Sequence, residues 1–336
     1  MKGLKMDRTI ATTPTLAGQY TAVFEALTEI GREYTSGGQP GAACALFEKA
    51  RQLFEPGAVP APARLKLLTG YARSLVTNLF VNHSGEETLA AVLGEARSLA
   101  ESSSDRLALA EVLNLLGQTD YFISIFGGFV SDKEKAHYGP ALAYQEQALA
   151  IRQELEDLEG ICESNFFVGL VHERWQERET ARTHYNFARE LAEQHHFYFQ
   201  IAETSRHLAG IALAEGDLDA ALANSLRELR GREQAGFKPY LPLDHLLLCD
   251  IYLLRGELEK ALAHAQAALA LAEEMDYAGA GVLSRLRFGD IKLKQGEREE
   301  AVAEYSRALE TAQKLGQALL LNYANQRLAQ AGVSRE

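Results

Sequence analysis

Residues 246–275 read LLLCDIYLLRGELEKALAHAQAALALAEEM, and they hold two amphipathic helices with one turn between them. In the first half Leu246, Leu247, Tyr252 and Leu253, with Leu258 beyond the turn, are apolar at helical spacing. In the second half Ala261, Leu262, Ala265, Ala268 and Leu269 keep the same spacing. Gly256 falls between the halves, where a helix most easily ends in the left-handed conformation. The small residue Cys249, midway along the first helix, leaves room for the second to cross close by.

The same arrangement recurs at a step of 40 residues. Ala141, Ala181, Ala221, Ala261 and Ala301 form one series, and Gly169, Ala209, Cys249 and Gly289 form another. Gly216, Gly256 and Gly296 form a third, each followed by an acidic residue and, five positions on, by Ala. Earlier units are looser. Gly31, Tyr34, Gly38, Ala43, Phe47 and Ala50 mark the first, Gly70, Leu89, Leu93 and Ala96 the second, and Leu116, Gly117, Ala141 and Ala148 the third. The pattern predicts seven helix pairs, near 17–55, 61–101, 104–155, 158–196, 197–236, 238–277 and 278–316, with a capping helix near 317–331.

With those residues in view, 246–275 and RFGDIKLKQGEREEAVAEYSRALETAQKLG (287–316) resemble tetratricopeptide repeats, the second keeping the family's aromatic as Tyr305. The long step and ALAYQEQALAIRQELED (141–157) are similar to the repeats of kinesin light chain and of bacterial peptide-sensing regulators. The resemblance implies an all-α fold, a right-handed α-α superhelix whose first helices line a concave groove. It also implies binding of a peptide or protein partner there, in the manner of a scaffold. The domain organisation expected is a tail at 1–16, one solenoid at 17–331 with insertions near 76–88 and 123–139, and a tail at 332–336.

Composition narrows the partners. A net charge of −12, spread without blocks, disfavours nucleic acid. No run reaches the roughly 18 to 20 apolar residues of a membrane span, and the start of the chain has no signal-peptide core, so a cytoplasmic location is expected. Cys44, Cys162 and Cys249 are isolated and read as small buried thiols, not as metal or redox pairs. VHERW (171–175) is not the H-E-x-x-H zinc motif, His172, His207 and His245 fall out of register with one another, and no phosphate loop or nucleophile elbow occurs. No cofactor or metal is expected, and catalysis has no motif to rest on, although a site assembled across helices would leave none.

The regular pattern breaks in two places. From Gly117 to Ala141 there are 24 residues against 12 from Gly169 to Ala181, and the added segment carries Tyr121, Phe122, Phe126 and Phe129 around Gly127 and Gly128. The second unit is lengthened at LFVNHSGEET (79–88). These segments either pack on each other or cover one end of the groove as a lid.

Rows along the first helices mark the groove. Glu111, Glu163 and Glu203 form one, Asn114, Phe166 and Arg206 the next, and Gln118, Leu170, Asp250 and Asp290 a third. Tyr121, Phe122, Glu173, Arg174 and Lys294 lie a turn further along. The candidate ligand-binding residues are therefore Asn114, Gln118, Tyr121, Phe122, Phe126, Phe129, Glu163, Phe166, Glu173, Arg174, Glu203, Arg206 and Asp250. Amide, aromatic and guanidinium groups together suit a ligand with polar and apolar parts, and the glutamate row favours a basic or neutral peptide. The alternative is an enzyme or small-molecule receptor in which the lengthened units close the pocket. One further oddity is Glu228, which stands where the other units have Ala; buried there, it needs a polar partner, and His245 is the first candidate.

Overall fold

The computed structural model describes residues 15–53, 59–126 and 135–333, and those residues form helices and connecting turns with no strand. The first three pairs are α1 (Leu16–Ser36) with α2 (Pro40–Arg51), α3 (Ala61–Asn82) with α4 (Glu86–Ser103), and α5 (Arg106–Phe126) with α6 (Lys135–Glu154). Next come α7 (Leu158–Arg174) with α8 (Arg178–His195) and α9 (Tyr198–Glu215) with α10 (Leu218–Ala235). A short 3-10 turn, Lys238–Tyr240, then leads to α11 (Leu241–Arg255) with α12 (Leu258–Glu274) and α13 (Ala278–Gln295) with α14 (Arg298–Leu315), and α15 (Ala318–Gln330) ends the stack.

What sets each pair's spacing is visible at two complementary positions. A methyl placed on Gly169 would lie 2.6 Å from a ring carbon of Tyr185, sixteen residues on, and the same overlap occurs between Gly31 and Phe47 and between Gly289 and Tyr305. Where the first residue is larger, as at Ala209 and Cys249, the second shrinks to Ser225 and Ala265. The volume at the crossing is thus held nearly constant. Buried alanines carry the rest of the second helices, with Ala261, Ala265 and Ala268 at zero exposure in α12. The turn glycines Gly216, Gly256 and Gly296 take φ of 79°, 76° and 85°, the left-handed cap the sequence implied. A polar clasp at a fixed offset of nineteen residues joins the two helices of several units. It is Asn165 with His184 at 3.0 Å, His245 with His264 at 2.9 Å, and Arg285 with Glu304 at 3.1 Å.

Two features of the stack shape its interior. Successive first helices pack directly on one another, except that α9 and α11 barely touch; the 3-10 turn before α11 packs on α11, α10 and α1. The chain also curls far enough for units one and two to meet unit six. Gly38 lies against the Met275 side chain, Phe80 meets Tyr240 edge-on at 5.0 Å, and Val81 packs against the buried cluster of Ala272, Tyr277 and Ala280. No described helix is long and apolar enough to cross a membrane.

Candidate functional site

The curl partly encloses a cavity of about 940 Å³ on the concave side, walled by α1, α3, α5, α7 and α9, with Phe237, Tyr240 and Leu243 bordering it on the side of unit six. Its wall alternates aromatic rings with charged groups held in two internal clusters.

The first cluster joins units two, three and four. The Arg73 guanidinium grips Glu163 through two bonds of 3.0 and 3.1 Å and reaches Glu111 at 2.8 Å. Arg152 approaches from behind, donating to Glu111 at 2.9 Å, Glu163 at 3.1 Å, Ser164 Oγ at 2.8 Å and the Gly160 carbonyl at 3.1 Å. Gln118 adds a bond of 3.2 Å to Glu163. Burial alone would push the Glu163 carboxyl up, but Arg73 and Arg152 pull it down to about 2, so it is ionised at neutral pH.

The second cluster fills the gap between α9 and α11. Arg232, with no exposed surface, lies between the rings of Phe199 and Tyr240, 5.2 and 5.1 Å from their centroids. It pairs with Glu203 of α9 and, at 3.1 Å, with Asp244 of α11, so one side chain of α10 ties together the two first helices that do not pack directly. Arg206 pairs with Glu228 at 3.0 Å and lies 3.6 Å from Asp244. Burial and the neighbouring Asp244 carboxylate push Glu228 well above the usual range against the pull of Arg206, so it keeps its proton. Glu228 is fully buried, as its alanine-lined column implied, but its partner is Arg206. His245, the expected partner, turns to His264 instead.

Of the residues singled out from sequence, Gln118, Tyr121, Phe122 and Glu163 line the cavity, together with Phe166, Arg174, Glu203 and Arg206. Asn114 does not; it has no exposed surface and lies beneath the wall, where its carbonyl accepts from Gln145 at 2.9 Å. Glu173 turns away from the cavity to accept from Tyr185 at 2.6 Å and to pair with His207 at 2.8 Å; burial raises its carboxyl, but His207 and these bonds bring it down to about 2. Asp250 is gripped by both ends of the Arg287 guanidinium, outside the cavity. Phe126 is 39% exposed at the end of α5, stacked on Phe122 and against His83. Phe129, Gly127 and Gly128 lie outside the described residues. The described part of the added aromatic segment therefore packs on the lengthened α3, and Phe122 also meets Phe80 at 5.5 Å.

The glutamate row does not offer free negative charge. Glu111, Glu163 and Glu203 are each committed to a guanidinium, which removes the ground for expecting a basic ligand. The residues that neutralise them were missed, yet two of them carry a signal at the 40-residue step. The column Arg152, Ala192, Arg232, Ala272, Ala312 is buried throughout, and Arg replaces Ala only in the units that hold the clusters. Arg73 had no such signal. Gly70, taken as the marker of unit two, faces Thr28 and Phe47 of unit one, so the register of α3 could not be read from it.

Architecture of this kind defines the protein as an all-helical repeat solenoid of stacked helix pairs. No family model matches the sequence, and no curated protein matches it either. Among solved structures the chain is similar to a Rap protein complexed with competence and sporulation factor, at 14% identity and a TM-score of 0.57, over 93% of this chain and 88% of that one. It is similar to the apo form of RapI at 14% identity and 0.56, over 93% and 81%. It is also similar to BtubC from P. vanneervenii at 16% identity and 0.54, over 69% and 91%. At such identities the likeness is one of fold.

Proposed function

We propose that this chain is a noncatalytic, cytoplasmic binding protein that holds a peptide segment, free or part of a protein partner, in its central cavity. The cavity itself carries this reading: about 940 Å³ on the concave side, with aromatic rings from α5, α7 and α9 set between two preorganised charge clusters. Aromatic faces take apolar side chains, while fixed guanidinium and carboxylate groups satisfy backbone polar atoms without reorganising. A solved structure of similar fold holds competence and sporulation factor, which adds support.

The closure of units one and two on unit six favours a second reading, a small-molecule receptor or enzyme, because the volume also lies within the range of small-ligand sites. Native mass spectrometry of the purified protein separates the two. A retained peptide that is lost in Phe166→Asp supports the first reading. A retained metabolite, with no peptide recovered from lysate or from a synthetic library, would replace it with the second.

A further inference from the structure

Six cationic side chains line the cavity, and five of them are spoken for. Arg32 pairs with Glu29, Lys66 with Glu25, Arg73 with Glu111 and Glu163, Arg152 with the same two glutamates, and Arg206, bonded to the protonated Glu228, with the Asp244 carboxylate at 3.6 Å. Arg174, at the end of α7, is the exception: among the described residues no carboxylate forms an ion pair with it. Its Nε donates to the Tyr121 hydroxyl at 3.1 Å, and its guanidinium lies 5.9 Å from the centre of the Tyr121 ring. The adjacent carboxylate, Glu173, attracts Arg174 at a distance but gives its hydrogen bonds to Tyr185 and His207.

One bond to a phenol fixes the plane of the guanidinium and leaves its two terminal nitrogens as donors. That fork matches a carboxylate bidentately. The surroundings are partly apolar, with Phe122 and Leu170 on the same wall, and a cation in such a place is stabilised by an anion that brings its own charge.

We infer that Arg174 is the seat of a carboxylate on the ligand, and that it fixes which end or side chain of the ligand enters this part of the cavity. The assignment rests on the cavity being a peptide-binding site. It reverses the preference that the glutamate row suggested, because the three glutamates of that row are each engaged by a guanidinium while Arg174 forms no ion pair among the described residues. A carboxylate reaches the site from a peptide's C-terminus or from an Asp or Glu side chain, and the experiment separates these sources.

The test presents the full chain with three random hexapeptide libraries: free C-terminal acids, C-terminal amides, and amides lacking Asp and Glu. Retained peptides are identified by mass spectrometry. The expected result is retention from the first library or the first two and almost none from the third. Arg174→Gln should weaken the retained peptides about tenfold or more, with partial recovery in Arg174→Lys. Retention of free acids alone assigns the terminal carboxylate, and amides enriched in Asp or Glu assign the side chain. Equal retention from all three libraries, or peptides that bind Arg174→Gln unchanged, overturns the assignment and leaves the peptide-binding reading intact. No retention from any library overturns both. The contrast between libraries is read on the wild type, so it holds whatever the stability of the variants.

Discussion

Glu228 is the residue that departs furthest from its column, since Ala148, Ala188, Ala268 and Ala308 hold the equivalent buried positions. Its burial beside Asp244 raises its pKa well above the ordinary value of 4.5, so the folded chain keeps a proton that the unfolded chain gives up. The sign follows directly: the stability Glu228 contributes is fully present below pH 4.5 and is lost as pH rises toward the folded-state pKa. Glu163 runs the other way, because its depressed value of about 2 makes its contribution full above 4.5 and lost on acidification. Glu228→Gln imitates the protonated carboxyl and removes the alkaline loss. We expect the variant to gain stability over wild type as pH climbs from 5 to 8, by at least about 1 kcal/mol at pH 8. Urea unfolding at pH 5, 6.5 and 8 checks this, and two profiles that stay parallel across the range would sink it. The need of Glu228 for a partner was legible in the sequence because a charged residue stood in a column of alanine. The partner was not legible: Arg206 lies 22 residues away on another helix, and only the crossing of α9 and α10 brings the two within 3.0 Å.

At the level of the helix pair, the sequence was most legible where the packing repeats itself. Gly169 and Tyr185 recur as Gly289 and Tyr305 because each crossing leaves room for one ring and no Cβ. Gly169→Ala should therefore destabilise the chain by about 1 to 3 kcal/mol through overpacking. Gly210, exposed in α9 with nothing within 4 Å of an added Cβ, should respond in the opposite sense, since Ala lowers the entropy cost of the helix; a gain of about 0.5 to 1 kcal/mol is expected. Thermal unfolding of the two variants reads both effects, and a shift of the same sign in each would show that helix propensity, not the crossing, governs these positions. Legibility fell where helices were lengthened. The length of α3 lets Gly70 serve unit one, and α9 and α11 do not pack directly but are bridged by Arg232 where a 3-10 turn with Pro239 precedes α11, so rows counted at a constant step put Asp250 with the groove when it belongs to Arg287 outside it.

For the whole molecule, the decisive contact is one that no nearest-neighbour reading of a repeat protein anticipates. Each unit of a solenoid normally touches only its neighbours, which leaves its curvature soft. Here units one and two rest on unit six through Gly38 against Met275 and through Phe80 against Tyr240, and this contact turns an open groove into a half-enclosed cavity. The parts were visible in the sequence as the added aromatics of unit two, but their distant partner depends on the accumulated rotation of five units, which no local pattern encodes. Truncating both sides of the contact, in Phe80→Ala with Met275→Ala, removes apolar packing while leaving every charged residue of the clusters in place. The loss should be about 1 to 3 kcal/mol for each half-buried side chain, below the range for a fully buried one. Because the contact is long-range, its loss should also relax the superhelix, raising the radius of gyration in small-angle X-ray scattering while helix content stays constant. Unchanged scattering from a double variant that is measurably destabilised would mean that the curvature is set within the helix pairs, and that the closing contact follows from the shape of the stack instead of maintaining it.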